Sequence, residues 1–267
     1  MIDKEKLMNE AINEWGSYDP NLIRFAKFYD KDPSQLATGR KVVDTYHAFT
    51  TGRASLFFSL EEHFGDLAKD DDTFSKLFVR SLFVRDALLH FGLSLDLSWQ
   101  TVWAYVYPSS VKDLLQDNYK KYEQDCYREN LFEQLDCCIS QGNIKADRLK
   151  TLVKDFDNDA TTLELRELYN FMKHRGDIAI EGLGSNNKNQ GILIDGVALP
   201  TLSRREYKIE NLQQLAYDYA IKFMDYFKDI VNIVIPADYK NNNSSFDEVI
   251  NAQLAMKEVL DNIGNGS

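Results

Sequence analysis

Arg40-Lys-Val-Val-Asp-Thr-Tyr-His-Ala-Phe-Thr-Thr-Gly-Arg-Ala-Ser-Leu-Phe-Phe-Ser-Leu-Glu-Glu-His-Phe64-Gly65 is the stretch whose reading decides the fold class. Val42, Val43, Tyr46, Phe49, Phe57, Leu60 and Phe64 recur at three- and four-residue steps, the period of a helix buried along one side, with Gly65 as its stop. Downstream, Asp70-Asp-Asp-Thr73 is an acidic start, because carboxylates favour the positive end of a helix dipole. The helix it opens runs through Phe74, Leu77, Phe78, Leu82, Leu88 and Leu89. A bend is expected at Gly92, and helical or buried structure continues to Pro108. Val111 to Ser140 repeats the pattern with Leu115, Tyr119, Tyr122, Cys126, Leu131, Leu135 and Cys138. Three long helices joined by short connections predict antiparallel neighbours.

Upstream, Leu7, Ile12 and Trp15 form a weak helical stripe that stops at Gly16, a second short helix passes through Leu22, Phe25 and Phe28, and Asp30 to Gly39 is a linker. Beyond the long helices, Ala146 to Phe156 is a shorter helix, and Thr161-x-x-Glu164 has the form of a capping box opening another. Ile192 to Leu199, turning at Asp195-Gly196, is the one convincing strand signal, a β-hairpin over 191–199. Tyr207 to Ile235 is helical and ends at Pro236. A polar linker follows, and then Ser245-x-x-Glu248 caps a last helix. Its seam of Val249, Ala252, Met256, Val259 and Ile263 suits docking on the bundle or on a second copy of the chain. The expectation is an all-α antiparallel helical bundle with peripheral helices and one small β-hairpin. N-terminal helices occupy 1–39, the bundle 40–235, and a linker with the C-terminal helix 236–267.

Composition agrees. Only 5 prolines and 13 glycines in 267 residues suit long helices. The net charge of −11 opposes tight, sequence-independent binding to DNA, which needs a basic footprint. The least charged run, Phe91 to Tyr107, is shorter than the roughly 20 apolar residues of a membrane span, so no membrane association is expected. Cys126, Cys137 and Cys138 form no C-x-x-C pair, and with a signal-free start at Met1-Ile-Asp-Lys-Glu-Lys6 they point to a cytoplasmic protein with reduced thiols. His47 and His63 lack partners at metal-ligand spacing, Asp70 to Asp72 lack calcium-loop spacing, and Gly182-Leu-Gly184 follows no strand. Neither a metal nor a cofactor is indicated.

One segment carries chemistry. In Leu163 to Gly176, Arg166, Asn170 and His174 fall at successive four-residue steps beside Lys173, with Arg175 next, while Leu165, Leu168, Tyr169 and Met172 take the other side. An amphipathic helix with a solvated polar face accounts for this pattern. So does a site in which a histidine moves a proton while cations hold a phosphate. Arg204-Arg205 is a basic pair suited to lining an RNA groove or to a plain surface turn.

Tyr169-Asn170-Phe-Met-Lys173-His174-Arg175-Gly176, set among long helices, resembles the signature region of the HEPN superfamily (higher eukaryote and prokaryote nucleotide-binding domains). That family is an α-helical bundle, often dimeric, whose active members are metal-independent ribonucleases in toxin, defence and RNA-processing systems. Its signature is Arg, four to six residues, then His, frequently with Asn after the Arg. Asn170 and His174 match. Tyr169 stands where the family commonly has Arg, and seven residues separate Arg166 from His174. The resemblance implies an endoribonuclease in which His174 handles the proton, Asn170 positions the phosphate, and Lys173 and Arg175 stabilise its charge. It also implies RNA as partner and a homodimer. Arg85-Asp-Ala-Leu-Leu-His90 fits the spacing literally and is the reserve pair, although positions five apart on a regular helix diverge by about 140°. A non-catalytic helical module binding a protein or nucleotide is the alternative reading.

Overall fold

The computed structural model describes residues 2–29, 31–107, 111–114, 116–184, 193–194, 197–198, 205–241 and 244–264. Among these lie ten α-helices: α1 (Lys4–Leu7), α2 (Leu22–Phe28), α3 (Ser34–Ser59), α4 (Thr73–Val106), α5 (Gln116–Gln124), α6 (Arg128–Ser140), α7 (Ile144–Asp157), α8 (Ala160–His174), α9 (Ile209–Val234) and α10 (Phe246–Gly264). The strands are two residues each: β1 (Ala179–Ile180), β2 (Leu193–Ile194), β3 (Val197–Ala198) and β4 (Glu206–Tyr207). The protein is all-α with a small β element, as its periodicity predicts. No helix among the described residues is long and apolar enough to cross a membrane.

The chain forms two compact units, each assembled from three separated segments. The first comprises Met1–Asn9, Phe49–Gly92 and Asp159–Phe223; the second comprises Glu10–Ala48, Leu93–Asn158 and Met224–Ser267.

In the first unit, α3, α4 and α9 meet through Phe49, Phe91, Tyr219 and Phe223, with ring centroids 4.7–5.6 Å apart. Each buried ring contributes about 1.5–3 kcal/mol of transfer free energy. The α3 face turned to this core is small: Gly52, Ser55 and Ser59 recur with Leu56 at helical spacing, all buried. A Cβ on Gly52 would stand 2.7 Å from the Phe91 ring, so the bare backbone there lets α4 approach. The expected helix end at Gly65 lies instead at Ser59. Its carbonyl is taken by Arg80 Nε (3.0 Å) and Gln213 Nε2 (2.7 Å), which close the helix before the glycine is reached. Buried Arg53 donates to the carbonyls of Leu7 (2.5 Å) and Asn9 (3.0 Å), fastening the N-terminal segment.

Several expectations are corrected. α4 runs unbroken through Gly92, whose Cβ would lie 2.2 Å from the Tyr169 ring; the glycine seats a side chain and does not break the helix. α8 is capped by Asp159, which accepts from Thr161 N (3.0 Å) and Thr162 N (3.3 Å), so Thr161 is not the cap. β1 pairs in parallel with β4, Ala179 opposite Glu206 and Ile180 opposite Tyr207, a pairing too short to leave a period in the sequence. The hairpin is present, Leu193 opposite Ala198 and Ile194 opposite Val197; its turn, 195–196, lies outside the described residues.

In the second unit the helix expected over 111–140 is split into α5 and α6. Trp103 Nε1 donates to the Tyr122 carbonyl (3.0 Å), which also accepts from Asp125 N (3.2 Å), and the Tyr122 hydroxyl donates back to the Trp103 carbonyl; α5 ends two residues on, at Gln124. α3 begins at Ser34, inside the stretch read as a linker, and residues 10–18 form a 3₁₀ helix that continues through Gly16. Buried Asp157 accepts from Trp99 Nε1 (3.2 Å) and Arg128 Nε (2.7 Å), which together hold its charge. The capping box before α10 is formed as read, Ser245 N donating to Glu248 and Glu248 N to Ser245 Oγ. α10 docks on α2, with Ala252 fully buried; the side chains of Val259 and Ile263 lie outside the described set.

Two measurements probe these contacts. Gly92→Ala adds about 1 kcal/mol of helix propensity but overpacks the Tyr169 site, a net loss of about 1–3 kcal/mol in thermal unfolding that Tyr169→Leu should partly relieve. Burial pushes the Cys126 thiol up to about 12 while Cys137 is exposed, so iodoacetamide at pH 8 is expected to alkylate Cys137 well ahead of Cys126.

Candidate functional site

α8 turns Thr162, Leu165, Leu168 and Tyr169 inward. Asn170, Lys173 and His174 are exposed, Arg166 is half-buried, and Arg175 follows at the C-cap, its N–H donating to the Phe171 carbonyl (2.8 Å). The helix therefore ends in a basic turn, where cations meet the negative end of its dipole. Lys173 Nζ donates to the Tyr169 hydroxyl (3.2 Å) and stands 5.1 Å above that ring. Among the described residues, the side chains of Asn170 and His174 have no hydrogen-bond partner.

The β1–β4 pair brings a further cation to this helix. Ala179 N donates to the Arg205 carbonyl (2.8 Å) and Glu181 N to the Tyr207 carbonyl (2.9 Å). The Arg205 guanidinium then lies 4.4 Å over the Phe171 ring and 2.9 Å from Glu167. Arg205 thus pairs with Glu167 on α8, whose last turn carries Lys173 and His174 with Arg175 at its C-cap. Arg204 lies outside the described residues.

The reserve pair is separated. Arg85 Nη2 donates to the Ile178 carbonyl (2.8 Å), just beyond α8, while its Nε stands 3.4 Å from Asp177 without hydrogen-bond geometry. His90 points elsewhere on α4, as five-residue spacing on an unbroken helix requires. Its Nδ1 is 3.0 Å from the Asp86 carbonyl and 3.3 Å from the Asp86 carboxylate, whose second oxygen accepts from the Ser55 hydroxyl. Both neighbours of Nδ1 only accept, an arrangement that suits a hydrogen on that nitrogen. The His90 side chain is 32% exposed.

Asp86 escaped the sequence reading although its four-residue spacing to His90 was visible. Ser55 left no sequence signal, because it comes from another helix. Among the described residues no cluster of three His, Cys, Asp or Glu side chains could hold a metal ion. Comparisons with protein-family models, with curated proteins and with solved structures returned no match.

Replacing Arg85 by Leu strands the Ile178 carbonyl. A loss of about 1–3 kcal/mol is expected, with faster amide exchange at Ala179 and Glu181; unchanged protection at both would mean that Arg85 does not secure this link.

Proposed function

We propose that this chain is a HEPN-like protein that binds RNA and cleaves it without a metal ion, in the cytoplasm, within a bacterial defence or toxin system. The observation that supports the reading is the run Lys173, His174 and Arg175 at the end of α8, with the Arg205 guanidinium over Phe171 of the same helix, in a chain of acidic balance. Phosphate oxygens need such cations, and the Arg205–Phe171 pair adds a flat cationic surface. In this reading Asn170 positions the scissile phosphate while Lys173, Arg175 and Arg205 offset its charge. His174 takes the proton of the ribose 2′-hydroxyl, the freed oxygen attacks phosphorus, and the 5′-oxygen leaves and is protonated.

A separate observation favours a second assignment of that proton. Asp86 faces Nδ1 of His90 with two acceptors, whereas among the described residues no side chain is hydrogen-bonded to His174. The reading further expects a homodimer; a partner protein remains compatible with it.

The test is cleavage of single-stranded RNA in EDTA by the wild-type chain, His174→Ala and His90→Ala. Loss of about 100-fold or more in one variant identifies the histidine. Lys173→Ala with Arg175→Ala should weaken RNA binding and lower the salt slope by about 0.7 per lost phosphate contact. Binding without cleavage would move the protein to the non-catalytic reading, and no binding at all would end the RNA proposal.

A further inference from the structure

Three residues of the first unit form a chain of contacts that the α8 surface does not use. Ser55 of α3 is buried and donates from its hydroxyl to one oxygen of Asp86; the other Asp86 oxygen lies 3.3 Å from His90 Nδ1. The Asp86 side chain is 46% exposed and would otherwise exchange rotamers freely in water. A fixed hydroxyl behind it removes that freedom. The reach from α3 exists because Gly52, one turn earlier, has no side chain to keep α4 away.

We propose that Ser55 is a positioning residue: by holding the Asp86 carboxylate beside Nδ1 it supplies the second acceptor that, together with the nearer Asp86 carbonyl (3.0 Å), favours the Nδ1–H tautomer of His90 and leaves Nε2 to accept a proton from a hydroxyl-bearing substrate. The proton moves from the hydroxyl to Nε2, and the imidazolium so formed keeps its other proton directed at Asp86; no electrons are exchanged. A carboxylate behind an imidazole orients the ring and stabilises its charged form. That the substrate hydroxyl is the ribose 2′-hydroxyl rests on the second assignment made under the proposed function.

The experiment reads the tautomer directly. Two-bond proton–nitrogen correlation spectra of the full ¹⁵N-labelled chain at pH 8.5 separate the two imidazole nitrogens, and His90 is assigned by the signal lost in His90→Gln. The wild type should show His90 as Nδ1–H. Ser55→Ala should move its shifts toward a mixture of tautomers while His47, His63 and His174 stay in place, and Ser55→Thr should restore them. Asp86→Asn, which keeps the shape and offers an amide, should also raise the Nε2–H form and serves if Ser55→Ala fails to fold. RNA cleavage by Ser55→Ala should fall about tenfold in kcat with KM unchanged. Identical His90 shifts in wild type and Ser55→Ala, or a mixed tautomer in the wild type, would overturn the role given to Ser55. Absence of RNA cleavage by the wild type would overturn the RNA reading while the spectra still decide the Ser55 question.

Discussion

Two missing side chains on neighbouring surfaces govern the first unit. Gly52 of α3 admits the Phe91 ring, and Gly92, the next residue of α4, admits the Tyr169 ring of α8. Interiors packed at crystal-like density have no slack to absorb an added methyl at either point. Because α4 is clasped on both sides at one level, the position of α8 is tied to that of α3 through consecutive residues of a single helix. The aromatic cluster of Phe49, Phe91, Tyr219 and Phe223 supplies the attraction. The glycines determine how near the backbones come.

From that spacing follow the polar contacts. With α3 close, Ser55 reaches Asp86, and the C-terminal carbonyl of Ser59 finds Arg80 and Gln213. With α8 seated on Gly92, the chain leaving it passes Arg85, which takes the Ile178 carbonyl. The segment then enters the two-residue parallel pairing of β1 with β4. So short a ladder adds little stability by itself, yet it delivers the Arg205 guanidinium onto Phe171. A cation distant in sequence thereby joins the basic end of α8.

The two histidines stand in different surroundings. His174 stands between Lys173 and Arg175 at a helix end, and among the described residues no side chain is hydrogen-bonded to its ring. His90 has two acceptors facing Nδ1, both belonging to Asp86 one turn earlier. Orientation matters because a base must present its lone pair in line with the proton it removes.

The long helices were legible because an apolar side chain every three or four residues is a local property of the chain: α3, α4 and α9 declare themselves in Val42 to Leu60, Phe74 to Leu89 and Leu212 to Ile233. The basic face of α8 was legible for the same reason, as was the Ser245–Glu248 box, whose partners are three residues apart. What the sequence could not disclose depends on residues far apart in the chain. Gly92 reads locally as a helix breaker, and only the Tyr169 ring, 77 positions later, shows why it is tolerated. Tyr122 reads as mid-helix until the Trp103 indole is seen to share its carbonyl with Asp125 N near the end of α5. Ser55 reads as one more small polar residue until α4 brings Asp86 to it. Local periodicity by itself determined that the protein is helical and which faces are apolar. Tertiary packing alone decided where α3 stops, which glycines seat rings and which hydroxyl stands behind Asp86, since each of these is settled by a hydrogen bond or a contact between elements that carry no record of one another in their own sequence.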